Sequence, residues 1–223
     1  MKKILIAAFI IMQSQQSMAN EDYYFKIGVG EAYNPRTRGK VVKGTLSSSR
    51  SAVGYVGAGV GVNKYVRAEL SFHSGISVIG QATGNIGMDI QGFNGAKEKH
   101  KTTSHILLSK LEQDLIDFGY GKFYTSFGIG VARVTDRVRV DINANNSLQS
   151  YNSKSKGKIN PAYTLGFGSG FYLNEGVLLD ISYSYINAGE TKEQYSVINN
   201  TKVEVSRITV SSHNLTAGFR VVL

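Results

Sequence analysis

Seven stretches of this chain alternate, residue by residue, between large apolar side chains and small or polar ones. Tyr23, Phe25, Ile27 and Val29 alternate with Tyr24, Lys26, Gly28 and Gly30. Val56, Ala58, Val60 and Val62 do so with Tyr55, Gly57, Gly59 and Gly61, and Val66, Ala68, Leu70 and Phe72 with Arg67, Glu69, Ser71 and His73. The pattern returns near 125–132, 163–170, 179–185 and 214–223. A period of two is the strand signature, because successive side chains of an extended backbone point to opposite faces. In an eighth segment, His105 to Glu112, the alternation is blurred and a short helix competes with a strand. Counting it, the expectation is an all-β chain of eight strands. Composition agrees: 25 Gly, 13 Tyr and 10 Phe favour strands over helices. With 42% apolar and only 18% charged residues the chain is not intrinsically disordered. The absence of cysteine excludes disulfides, Cys-ligated zinc and a thiol nucleophile.

The first nineteen residues stand apart. Lys2 and Lys3 precede an apolar run from Ile4 to Met12, and Ser17-Met18-Ala19 supplies small residues for cleavage. That is the layout of a secretory signal peptide over 1–19, with a single β domain occupying 20–223. Nine apolar residues are too few for a spanning helix, which needs about twenty. Loss of two lysines lowers the formal charge from +9 to +7, so the exported protein is basic.

A soluble sandwich and a membrane barrel share this alternation, and three features favour the barrel. Strands of about ten residues fit a tilted crossing of the hydrocarbon layer. The non-apolar faces are mostly Gly, Ser and Ala, which suits a narrow lumen better than a solvent surface. Long polar segments at 34–52, 80–104, 135–161 and 190–206 alternate with short joins at Asn63-Lys64, Gln113 to Gly121 and Asn174 to Gly176. Long outside loops and short periplasmic turns are the rhythm of an outer-membrane barrel. The expectation is an eight-stranded antiparallel transmembrane β-barrel with both termini periplasmic.

The leader, the opening Tyr23-Tyr24-Phe25-Lys26-Ile27-Gly28-Val29-Gly30, the strand Tyr65-Val66-Arg67-Ala68-Glu69-Leu70 and the strand Phe127-Gly128-Ile129-Gly130-Val131 carry a resemblance. The chain resembles the small bacterial outer-membrane β-barrel proteins, a group that includes the opacity-type adhesins, the OmpX and OmpA transmembrane domains, and surface antigens of obligate intracellular bacteria. The resemblance implies contact with outer-membrane lipid and lipopolysaccharide, insertion by the barrel-assembly machinery, and a role in surface attachment. Such proteins usually end in Phe, which that machinery reads, whereas this chain ends in Leu223.

Inward parity collects Lys26, Arg67, Glu69, Asp180 and Arg220, each a few residues from a short turn or a chain end. At about 3.3 Å per residue they form one layer, and an eight-stranded interior is just wide enough for side chains to fill. Buried charge must be paired, so a set of ion pairs plugging the lumen is expected before an ion gate or a catalytic group. Lipid-modifying barrel enzymes would need a His near a Ser. His73-Ser74 and Ser212-His213 supply the residue types, but adjacent strand residues point to opposite faces. No catalytic residue, cofactor or metal site is assigned; His100 and His105 lack metal spacing. Gly57 to Gly61 resembles part of a dinucleotide loop but lacks the following helix.

The long segments carry the cations. Arg36, Arg38, Lys40, Lys43 and Arg50 fall in the first, Lys97, Lys99 and Lys101 in the second, and Lys154, Lys156 and Lys158 in the third. Such a surface attracts polyanions through a salt-screened field. Lipopolysaccharide phosphates and a host-cell receptor or sulfated glycan are both candidates; nucleic acid is a poor partner for an exported chain. Val41, Val42, Ile76, Val78, Ile79 and Phe93 offer apolar contacts in the same segments. Three functions remain open: non-enzymatic attachment to host cells or matrix through the basic loops, a small passive channel or structural envelope protein, and a lipid-A-modifying enzyme.

Overall fold

A computed structural model describes residues 23–35, 37–38, 45–46, 49–84, 93–144, 147–154, 157–192, 194–198, 201–205 and 208–223. The expected signal peptide, 1–19, lies outside these residues. Eight long strands form the wall: β1 (Tyr23–Asn34), β2 (Ser49–Gly61), β3 (Val66–Gly84), β4 (Phe93–Asp117), β5 (Gly121–Ala144), β6 (Lys158–Asn174), β7 (Val177–Glu190) and β8 (Thr209–Val222). Each pairs antiparallel with its chain neighbours, and β1 pairs with β8, which closes the barrel. Closure satisfies the backbone polar groups that an open sheet edge would expose to lipid.

Side chains follow the alternation. Tyr23, Phe25, Ile27 and Val29 face outward while Tyr24 and Lys26 are buried in the lumen. The outer wall stays apolar through Phe127, Ile129, Leu165, Leu215 and Phe219, all largely exposed. Aromatic residues rim this band at both ends, with Tyr23, Tyr65, Tyr120 and Tyr172 at the turn end and Tyr33, Tyr163, Tyr183 and Tyr185 toward the loop end. Tyr23 and Tyr33 lie at the two ends of β1. At about 3.4 Å per residue and a tilt near 45°, their ten-residue separation spans about 24 Å. An apolar band about 25 Å tall between aromatic girdles is what a membrane barrel presents to lipid.

Short turns are built from local polar chemistry. The Asn63 side-chain oxygen accepts the backbone N–H groups of Tyr65 and Val66 at 2.8 and 2.9 Å. Asp117 accepts the Gly119 N–H at 2.9 Å, and Gly119 and Gly176 supply the positive φ that tight turns require.

One open choice is resolved and one expectation is corrected. His105 to Glu112 is strand, within β4. Its pattern is blurred because both faces are apolar: Leu107 faces lipid while Ile106 and Leu108 are buried inside. The second and third long segments are also far shorter as loops than 80–104 and 135–161. Strand β3 continues to Gly84 and β4 begins at Phe93, while β5 runs to Ala144 and turns back into a further strand, Ser147–Lys154, paired with its upper half. The barrel wall thus continues well beyond the apolar band.

Candidate functional site

The turn end of the lumen holds a network of charges. In the closing pair, Lys26 on β1 and Arg220 on β8 lie directly opposite one another. Two like charges side by side require shared anions, and β4 and β7 provide them. Lys26 Nζ lies 3.0 Å from Glu112 and 3.1 Å from Asp180. Arg220 donates to the same two carboxylates, at 3.0 Å to Glu112. Arg67 donates to Glu112 at 3.2 Å and to Asp114 at 2.6 Å, and Lys110 pairs with Glu69. Tyr124 donates to Asp180 at 2.6 Å and accepts from Lys26 at 3.2 Å, and Tyr24 donates to Glu69 at 3.3 Å. Four lumen cations (Lys26, Arg67, Lys110 and Arg220) thus face four carboxylates (Glu69, Glu112, Asp114 and Asp180), with Lys122 joining Asp114 at 3.4 Å from the vestibule side, which offsets the cost of desolvating each charge.

All five lumen residues marked by parity lie in this network. Lys110, Glu112 and Asp114 are additional members. They fall on β4, where the apolar character of both faces hides the parity that would have placed them inside.

The lumen tyrosines share one device. Tyr24 lies opposite Gly59, Tyr55 opposite Gly28, and Tyr124 opposite Gly168 on the neighbouring strand. Each ring lies over the bare backbone of its glycine: a Cβ at Gly28 would come within 2.5 Å of the Tyr55 ring, and one at Gly168 within 2.6 Å of the Tyr124 ring. Several inward glycines thus serve as seats for large side chains and leave no open bore.

Toward the loop end the lumen changes character. Ile106, Leu108, Ala132, Val134, Ala162, Ile186, Ala188 and Val210 pack into one buried apolar cluster. At the turn end a vestibule of about 510 Å³ opens beneath the charges, lined in part by Asn63, Lys64, Lys122 and Tyr172. Above it, two pockets among the described residues hold about 20 Å³ each, room for about one water apiece.

The candidate hydrolytic pairs are taken apart by the pleat. His73 is buried in the lumen, stacked on Tyr55 with ring centroids 5.4 Å apart and 3.1 Å from the Ser71 hydroxyl. Ser74 instead bonds His105 at 3.1 Å across the strand pair. His213 bonds the Tyr183 hydroxyl at 2.6 Å. His100, set among the basic residues in the sequence, is buried with Nδ1 2.8 Å from Asp136, which also accepts from Thr102. No group of three His, Cys, Asp or Glu side chains suited to a metal occurs among the described residues.

The basic residues divide into three groups. Arg36, Lys40, Lys43 and Lys156 lie outside the described residues. Arg38, Lys97 and Lys154 are on strands, in the pairs Arg38 with Thr45, Lys97 with Asp141 and Lys154 with Arg137. Arg50, Lys99, Lys101 and Lys158 have described side chains; Arg50 lies 3.6 Å from Glu31 in an exposed pair. Lys97, Lys99 and Lys101 therefore stand on a strand of the extended wall, and are not carried by a flexible loop. Of the apolar candidates, Val41 and Val42 are outside the described residues, while Ile76, Val78, Ile79 and Phe93 are strand positions.

Comparison with known proteins agrees with this architecture. The outer-membrane protein OprG from Pseudomonas aeruginosa superposes with a TM-score of 0.56, covering 93% of this chain and 98% of that one at 16% identity. The chain has the fold of a small outer-membrane β-barrel. Its location in the outer membrane, in contact with lipid, follows from that fold and from the apolar band. No protein-family model matches the sequence. A Rickettsia felis protein named "Putative adhesin" is 28% identical over 229 residues, with 99% of each chain covered. A Rickettsia prowazekii protein with the same designation is 27% identical over 228 residues, again with 99% of each covered.

Proposed function

We propose that this chain is a non-enzymatic surface protein that attaches to host cells or matrix through the cations of its loop end. In this reading residues 1–19 are removed on export, the loop end faces outward and both termini are periplasmic. The observation that carries it is the filled lumen: among the described residues the space above the vestibule is reduced to pockets of about 20 Å³, too small for a solute, so the work falls to the outer surface. The names of the full-length Rickettsia relatives support the same role. So does the setting of His73 and His213, whose bonds to Ser71 and Tyr183 bring in no carboxylate among the described residues, where a hydrolytic barrel would need one. Arg36, Arg38, Lys40, Lys43, Lys154, Lys156 and Lys158 are the contact residues, and a sulfated glycan or an acidic receptor is the partner. Lipopolysaccharide surrounds the barrel, and the barrel-assembly machinery reads its last strand.

Binding of the refolded barrel to host-cell monolayers, at low and high salt, tests this. Saturable, salt-weakened binding is expected from the native chain, and its loss when those seven residues are changed to Ser. Equal binding by both chains would move the contact to the apolar loop-end residues, and no binding by either would end the attachment reading.

A further inference from the structure

Above the apolar band, β4 and β5 continue together as an extended hairpin, and its outer face carries a ladder of cations. Leu107 and Val131 face each other as the last exposed apolar pair on that face. Moving toward the loop end, the outward pairs are His105 with Arg133, Thr103 with Thr135, Lys101 with Arg137 and Lys99 with Arg139. Two successive cross-strand pairs therefore set a lysine directly against an arginine. Like charges directly opposite in an antiparallel pair weaken the pairing, so the sheet gains nothing from this arrangement on its own.

The cations are available. Lys99, Lys101, Arg133 and Arg137 are exposed, and none has an ion-pair partner among the described residues; Arg139 alone is compensated, by Asp141 at 2.9 Å. The opposite face of the hairpin is firmly buried, with Val134, Asp136, Val138, His100 and Thr102 packed beneath. The side chains thus project from a stiff sheet at strand spacing, about 5 Å across and about 7 Å along.

We infer that this ladder binds the phosphate groups of lipids in the surrounding leaflet. Position decides the ligand. The ladder continues the lipid-facing wall, on the outside of the barrel. At about 3.4 Å per residue and a tilt near 45°, Arg133 stands about 5 Å and Arg137 about 14 Å beyond Val131, the depth of a phosphorylated headgroup and the sugars above it. Arginine suits this role because its planar fork takes two phosphate oxygens at once. Anionic headgroups would also relieve the repulsion within the two Lys–Arg pairs. The barrel would then be anchored in its membrane by the β4–β5 wall, leaving the remaining basic segments for the cell surface.

The test uses the full barrel refolded in phosphatidylcholine vesicles with or without diphosphoryl lipid A, reading the unfolding temperature and the lipid A that co-purifies. The native chain should gain thermal stability from lipid A and retain it. Changing both Lys99→Glu and Lys101→Glu turns two like-charge pairs into opposite-charge pairs. In phosphatidylcholine alone that variant should unfold at the same or a higher temperature, while its lipid A gain and enrichment disappear. The milder Lys99→Gln, Lys101→Gln variant should lose most of the enrichment without any new attraction. Undiminished lipid A retention by these variants, or no retention by the native chain, overturns the inference. Equal stabilisation by soluble heparin or inorganic phosphate would overturn it too, by assigning the ladder to dissolved anions. Cell binding at the loop tips is read separately, so its loss or survival bears on the attachment proposal alone.

Discussion

Near the turn end, Glu112 takes charged hydrogen bonds from Lys26, Arg67 and Arg220; four residues along the same strand, Leu108 is wholly buried among Val134, Ile186 and other apolar side chains. One strand thus contributes to two closures of opposite chemistry. The charged layer depends on direction: its carboxylates are shared by cations from different strands, so removing one member leaves the others buried without their partner. The apolar cluster depends on volume, and its loss is graded with the atoms removed. A barrel of eight strands has little room, and these are two ways of filling it. The charged layer also ties β1, β3, β4, β7 and β8 together through side chains, including the two strands whose pairing closes the wall.

Glu112→Ala should do the most damage. It leaves Lys26, Arg67 and Arg220 competing for the remaining carboxylates, and should destabilise the barrel by about 3–5 kcal/mol in urea unfolding from lipid vesicles. A loss under about 1 kcal/mol would mean that the layer is replaceable filler. Leu108→Ala should cost about 2–5 kcal/mol, set by how far the cluster collapses, with Ile186→Val nearer 1 kcal/mol. If the two Leu108 and Ile186 changes cost the same, the cluster is not governed by volume. Gly168→Ala, whose methyl group meets the Tyr124 ring, should cost about 1–3 kcal/mol in the same assay. Adding Tyr124→Phe does not remove the ring from that seat, so the clash should persist in the double variant.

Legibility in the sequence followed the same division. The strand count, the closed wall and the inward charges on β1, β3, β7 and β8 are readable because outward apolar and inward polar residues alternate cleanly there. Strand β4 was ambiguous for a physical reason: where the lumen is filled by Ile106 and Leu108, both faces are apolar and the period vanishes. With it vanished the inward placement of Lys110, Glu112 and Asp114. The length of β3, β4 and β5 was also hidden, because wall that rises above lipid carries polar residues on its outer face and reads as loop. For that reason Lys99 and Lys101 appeared as loop cations, and their register with Arg139 and Arg137 could not be seen.

Charged layer and apolar cluster together seal the lumen, and conductance measures that seal. The native barrel, reconstituted in a planar bilayer, should show no stepwise ionic current. Leu108→Ala alone should remain silent, because the charged layer still bars the path. A steady ohmic conductance through the native protein would contradict the account and make passage of solutes its better explanation.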